Sequence, residues 1–248
     1  KNPNTLRAKS IKKLNSKHKL ALTGTPLENN VIELWSIFDF LMPGYLPSVK
    51  KFKDEANKLK TANMESKIQQ YISPFILRRK KQEVLIELPD KQEQMLFCQL
   101  TPVQEQYYLD IINSIKKDFS TDNENNLNYI HLLAALTKLR QICDHPSLID
   151  DNLKNSLELS GKTELLEELI TDAIESGKKF LIFSQYISML QIIKDIMIRN
   201  KTLFEYMDGS TQDRQKAIEH FNNNEKVRAF LISLKTGGYG INLTAADT

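Results

Sequence analysis

Phe180-Leu181-Ile182-Phe183-Ser184-Gln185 is a short apolar run that closes on two polar residues, and the same arrangement recurs twice before the chain ends. Phe204-Glu205-Tyr206-Met207 leads into Asp208-Gly209-Ser210-Thr211, and residues 227–233 lead into Leu234-Lys235-Thr236-Gly237-Gly238-Tyr239-Gly240. Between the runs lie helical patterns, one carrying Met189, Ile192, Ile193 and Ile196, the other spanning about Gln212 to Phe221. Strand, helix, strand, helix, strand with short connections dictates an α/β fold, a parallel sheet with helices on its faces. Ligands of such sheets sit beyond the carboxyl ends of the strands. Ser184-Gln185, Asp208-Gly209-Ser210 and residues 235–240 are therefore predicted to share one edge. Three glycines within residues 237–240 permit positive φ and a nest of N–H groups suited to a phosphate. A tight turn that binds nothing fits the same glycines.

Upstream the pattern is more helical. Lys19-Leu20-Ala21-Leu22 reads as a buried parallel strand running into Thr23-Gly24-Thr25-Pro26, where Pro26 presets a helix start. Val31, Ile32, Leu34, Trp35, Ile37, Phe38, Phe40 and Leu41 make the next helix apolar on most sides, so it is expected to be buried on more than one face, and its aromatics are read as core. Met42-Pro43-Gly44 stops it. Residues 45–71 turn lysine-rich, as in a surface protrusion. Arg78-Arg79-Lys80-Lys81, between Pro74 and Pro89, reads as a connector, either phosphate-binding or simply solvated. Thr101-Pro102-Val103-Gln104 is a helix start with a Thr cap, Pro at the first helical position and Gln closing a capping box. That helix should reach about Phe119, and 120–128 is an Asn-rich break. Ile130, Leu133, Leu136, Leu139 and Ile142 then recur at helical spacing.

Bulk properties exclude several classes. No apolar run approaches the roughly 20 residues of a membrane helix. Cys98 and Cys143 form neither metal-ligand spacing nor a disulfide framework, which favours a reducing compartment. A net charge of +3 does not by itself argue for nucleic acid. Ser160-Gly161-Lys162-Thr163 ends like a phosphate-binding loop, but Ser156 stands where that loop needs its first glycine and no strand leads in. Ser160 is better read as the cap of the following helix. Four histidines without clustered thiols or carboxylates offer no metal site, and His145 is read as structural.

Taken in order, these runs resemble the motifs of the Swi/Snf-type ATPases, a branch of the superfamily-two helicases. Residues 22–30 look like that family's third motif, with Glu28 where glutamine is more usual, and 235–248 like its fifth. Between them stand Ile76-Leu77-Arg78-Arg79-Lys80-Lys81, Leu139-Arg140-Gln141-Ile142-Cys143-Asp144-His145-Pro146 (Asp144 replacing the usual Asn), Ser160-Gly161-Lys162, Phe180 to Gln185 and Asp208-Gly209-Ser210-Thr211. The resemblance implies a RecA-like second lobe over 160–248, the rear of lobe one with a helical protrusion over 1–73, a basic inter-lobe linker over 74–92, and a helical insertion over 93–159. It implies an ATP-dependent translocase or remodeller acting on double-stranded DNA through its backbone, with an unknown protein cargo, ATP and Mg²⁺ as cofactors of the parent, and no membrane association. Cleft and coupling residues would be Thr23, Gly24, Thr25, Arg78, Arg79, Gly237, Gly238, Gly240 and Asn242. One arginine of the linker pair would brace the two lobes. DNA contacts would come from Ser184, Gln185, Arg214, Lys235, Thr236 and Thr244. Blander roles stand beside these: helix caps for Thr23, Thr25 and Ser184, and surface decoration for Arg214.

The sequence lacks a glycine-lysine phosphate loop, an acidic pair for Mg²⁺ and an arginine finger, all of which hydrolysis requires. It is therefore expected to be a fragment, inactive alone and with no cofactor bound to it. The competing reading is a degenerate, non-enzymatic helicase-like module that binds nucleic acid or a partner protein. Either form would be intracellular: cytoplasm or nucleoid in a bacterium, nucleus in a eukaryote.

Overall fold

The computed structural model describes residues 2–23, 31–58, 70–79, 84, 92–121, 129–153, 160–238 and 241–248. The chain divides into two units, residues 1–92 and 93–248.

In the first unit, Thr5 caps α1 (Leu6–Lys12), its Oγ1 accepting from the Ala8 N–H at 3.2 Å. Helix α2 (Val31–Leu41) buries Leu34 and Phe38. Trp35 is half-buried and fixed from two sides: its indole N–H donates to the Pro47 carbonyl at 2.8 Å, and the Lys12 ammonium lies 4.9 Å from its ring centre. Lys12 also pairs with Asp39 at 2.6 Å. Helix α2 ends at Leu41, and Gly44 takes φ +82°, the left-handed conformation expected of the stop. Helix α3 (Val49–Lys58) docks through Phe52. A 3₁₀ turn, Ser73–Phe75, follows.

Residues 19–22 correct the sequence reading. They form no strand, and Leu20 and Leu22 are 80% and 89% exposed. A buried parallel strand exists only when neighbouring strands take up its N–H and C=O groups, and no strand is found among the described residues of this unit.

The second unit carries the sheet. Its strands are β1 (Phe180–Ser184), β2 (Leu203–Met207) and β3 (Val227–Ser233), all parallel in the order β1-β3-β2. Central β3 is buried along almost its whole length because both faces are covered. Helix α6 (Gly161–Glu175) contributes Ile170 and α7 (Ile187–Arg199) contributes Leu190, Ile193 and Ile196 to the cluster that packs on Phe180, Ala229 and Leu231. Helix α8 (Arg214–Asn223) seats Phe221 against Phe230, Ile232 and Met207 on the other face. At the outer edge of β1, the Leu181 N–H donates to the Thr248 carbonyl at 2.9 Å and the Thr248 N–H to the Lys179 carbonyl at 3.3 Å. That is the hydrogen-bond pattern of a parallel ladder.

Before the sheet, α4 (Pro102–Thr121) and α5 (Tyr129–Asp144) pack together. The capping box of α4 forms as read: Thr101 N–H to Gln104 Oε1 at 3.1 Å and Gln104 N–H to Thr101 Oγ1 at 3.3 Å. The helix outlasts the expected end at Phe119 by two residues, and 122–128 of the expected break lie outside the described residues. Helix α5 departs from its pattern. Ile142 is fully buried, but Ile130 and Leu133 are 75% and 63% exposed. Its apolar spacing is therefore core only in the last turns.

Gln104 itself is fully buried and reaches well beyond its own helix. Its Nε2 donates to the Ile142 carbonyl at 2.7 Å and to Ser160 Oγ at 3.4 Å, and its Oε1 also accepts from the Gly161 N–H at 3.2 Å. One carboxamide thus joins the start of α4, the end of α5 and the start of α6. His145 is buried as the cap of a 3₁₀ turn, Pro146–Leu148, its Nδ1 accepting from the Ser147 N–H at 3.1 Å.

Candidate nucleic-acid interface

The parallel register brings the strand ends to one edge, as the strand-helix alternation requires. Ser184 stands beside Ser233, and Met207 beside Ile232. The segments 184–185, 208–210 and 234–238 therefore leave the sheet side by side. Each is fixed differently.

After β1, Ser184 Oγ accepts from the Tyr186 N–H at 3.2 Å, and Tyr186, not Ser184, is the cap residue of α7. Gln185 is exposed, and its Oε1 accepts from Arg140 Nη2 at 2.5 Å. That bond fixes the carboxamide so that its NH₂ is left to face solvent. Arg140 belongs to α5 and was missed as a site residue. Its position in an apolar-spaced helix gave no sign that it would reach a strand end 45 residues away. Behind this pair runs a cleft of about 880 Å³, lined by Leu136, Leu165, Leu166, Met189 and Ile193.

After β2, Asp208 is buried and organises the turn. Its Oδ1 accepts from the Ser210 hydroxyl at 2.6 Å and the Ser210 N–H at 2.8 Å, while Oδ2 accepts from the Tyr206 hydroxyl at 3.0 Å. The Ser210 hydroxyl, followed by the Ser210 N–H and Tyr206, holds this carboxyl below the ordinary carboxylate range despite burial. Asp208 is spent on building the turn. Arg214 opens α8 from an exposed position, with Asp213 as the cap.

After β3 the expected glycine nest is not what forms over the described residues. Residues 234–237 wind one helical turn, α9 (Leu234–Gly237), and Gly238 closes it at φ −67°. Neither Gly237 nor Gly238 takes positive φ. The requirement for glycine here is steric: a Cβ on Gly237 would lie 2.7 Å from Phe183 Cε1 and 3.3 Å from Ile232 Cγ2. The absent side chain lets the turn close onto the end of β1. Lys235 is exposed, whereas Thr236 is 3% exposed and its Oγ1 accepts from Ser233 Oγ at 2.8 Å. Thr236 therefore turns inward and leaves Lys235 as the outward donor of this turn. Asn242 and Thr244 are exposed.

Among the remaining site residues, Thr23, Arg78 and Arg79 are exposed in the first unit, and Gly24, Thr25 and Gly240 lie outside the described residues. Ser160 caps α6 as read, its Oγ accepting from the Lys162 N–H at 3.2 Å. The 160–163 segment does not fit a triphosphate. The Gly161 N–H is taken by Gln104 and the Lys162 ammonium by the Asp144 carboxylate at 2.5 Å, so both are already engaged within the protein rather than directed at a phosphate. Among the described residues no helix is long and apolar enough to cross a membrane, and no cluster of three or more His, Cys, Asp or Glu could hold a metal.

The strand-helix alternation forms a parallel sheet with Gln185, Ser210 and Lys235 just past its strand ends, and comparison with known proteins gives the family. Residues 1–148 match the SNF2-related domain and residues 161–248 the helicase conserved C-terminal domain. The chain belongs to the Swi/Snf family of superfamily-two ATPases. It is 37% identical over its whole length to chromodomain-helicase-DNA-binding protein 8 of Danio rerio and 36% identical to the Homo sapiens protein of that name. It spans about a tenth of the length of these relatives, 11% and 10% respectively. Among solved structures, the Sulfolobus solfataricus SWI2/SNF2 ATPase core domain aligns with all of this chain and 53% of its own, at 38% identity and a TM-score of 0.57. The same archaeal core in complex with double-stranded DNA aligns at 37% identity and 0.55, covering 99% of this chain and 54% of its own.

Proposed function

We propose that this chain forms the DNA-tracking and coupling part of an ATP-driven translocase that moves on duplex DNA and remodels proteins bound there. The observation that carries the reading is the common edge of the sheet, where Gln185 and Lys235 are exposed. These groups donate hydrogen bonds or charge to phosphates and have no means of reading base edges, so the grip would be independent of sequence. The archaeal relative's complex with duplex DNA supports the same partner. ATP and Mg²⁺ serve the whole motor. Because the 160–163 segment is committed to internal bonds, the chain by itself is expected not to turn ATP over.

In this reading Arg78 and Arg79 couple the lobes, with Thr23 and the glycines of 237–240 at the cleft. The test is phosphate release by the full-length protein with and without duplex DNA. Hydrolysis should be DNA-stimulated, and Arg78→Ala with Arg79→Ala should lower the stimulated rate about tenfold, roughly 1.4 kcal/mol of barrier, while nucleotide affinity changes little. Equal losses in hydrolysis and nucleotide binding would remove the coupling role. A full-length protein that binds duplex without hydrolysing ATP would favour a non-enzymatic binding module.

A further inference from the structure

Arg140 lies on the last turns of α5, near the buried Ile142 that anchors the helix. Its own side chain is exposed and crosses to the end of β1, where Nη2 donates to Gln185 Oε1 at 2.5 Å. Arg140, Gln185 and Leu234 line one cleft, and the exposed Lys235 follows Leu234. Because Ser184 stands beside Ser233 in the register, the ends of β1 and β3 are adjacent. A cation from a helix is thus brought to the strand ends that carry Gln185 and Lys235.

The partner that holds Arg140 is neutral. A guanidinium that serves stability is best matched by a carboxylate, which accepts two parallel N–H bonds and cancels the charge. The carboxylate one turn along α5, that of Asp144, pairs instead with the Lys162 ammonium at 2.5 Å. The bond to Gln185 directs the guanidinium without cancelling its charge, and it uses one donor of a fork that carries five. An oriented fork of this kind suits a phosphate, which can take two N–H bonds at once. Leu136, Leu165 and Leu166 wall the cleft behind it, and an apolar wall beside a cation focuses its field on an approaching anion.

We propose that Arg140 contacts a DNA phosphate beside the end of β1, so that the DNA track continues from the sheet edge onto α5. The proposal rests on the reading of this edge as a DNA track. It makes the helical region before the sheet part of the grip as well as its support.

The test measures the affinity of the 248-residue chain for a random-sequence DNA duplex over a range of salt concentrations. Arg140→Gln removes the charge but keeps an N–H donor for Gln185. The site is exposed and Gln is a good helix former, so the fold should be retained. This variant should raise the dissociation constant about tenfold, the scale of one lost hydrogen bond to a charged group. It should also reduce the salt slope by about one. Arg140→Lys keeps the charge and should keep the native slope. Weaker binding by Arg140→Gln at an unchanged slope would mean that Arg140 only orients Gln185, and would overturn the phosphate contact. Native affinity and slope in Arg140→Gln, while Lys235→Ala lowers the slope, would also overturn it and leave the track intact. If Arg140→Gln and Lys235→Ala both leave the slope unchanged, the track reading falls and takes this inference with it.

Discussion

Gly161→Ala should destabilise the second unit by about 3 kcal/mol, although helix propensity alone argues the opposite sign. Alanine is favoured over glycine by roughly 1 kcal/mol inside a helix, and Gly161 is the first residue of α6. Sterics oppose and exceed that gain. A Cβ at this position would stand 2.1 Å from the carbonyl oxygen of Gln99 and 3.3 Å from its carbonyl carbon. The obstacle is backbone, which no change of rotamer can clear. Residue 99 is two positions before Thr101, which the capping box anchors, so the segment cannot retreat without straining that cap. Overpacking of this kind costs about 1–3 kcal/mol and occasionally more, and the upper end applies where backbone must move. In thermal unfolding of the chain followed by circular dichroism, the melting temperature of the unit should fall by about 10 °C. An unchanged or raised value would mean that the 98–101 segment yields freely.

Gln104→Leu should cost a similar amount by a different route. Leucine nearly matches the volume but removes every bond of the carboxamide. The Gly161 N–H, the Ile142 carbonyl and the Thr101 N–H would each lose the partner seen here. An orphaned buried group costs about 1–3 kcal/mol, and partial hydration of Thr101 at the helix start limits the total to about 3 kcal/mol. Ser160 is spared, because its Oγ still donates to the Asp144 carbonyl at 2.7 Å. Urea denaturation should show a lowered midpoint with the slope preserved. The two substitutions strike one junction, so the double variant should lose less than the sum of the single losses. Strict additivity would show that Gln104 and Gly161 do not act as one node.

Much of this architecture could be read from the chain because it is locally encoded. The residues 180–183 and 229–232 are continuous apolar runs, and burial on both faces of a parallel sheet demands that pattern. The strand-helix alternation then fixed which ends share an edge. Capping is equally local, and Thr101, Ser160 and the stop at Gly44 behave as their residue types require. What escaped the sequence was the long-range part. Residues 19–22 have the composition of a strand, but composition cannot supply the neighbour a strand pairs with. Ile130 and Leu133 have helical spacing, yet spacing does not say whether a partner covers them. Gly237 looked like a turn of positive φ and proved to be a point of close approach to Phe183. The bonds of Arg140 to Gln185 and of Gln104 to Gly161 join residues 45 and 57 positions apart. No local pattern marks them. The candidate DNA track was thus legible as a set of strand ends, and its supporting residues were not.

The measurement that bears most directly on the account is the affinity of the chain for duplex DNA as a function of salt. If the strand-end edge grips phosphates, the logarithm of the binding constant should fall linearly with the logarithm of salt concentration and be the same for unrelated sequences. Lys235→Ala should reduce that slope by about one, the signature of one lost phosphate contact. Affinity insensitive to salt, strong dependence on base sequence, or a slope unmoved by Lys235→Ala would contradict it.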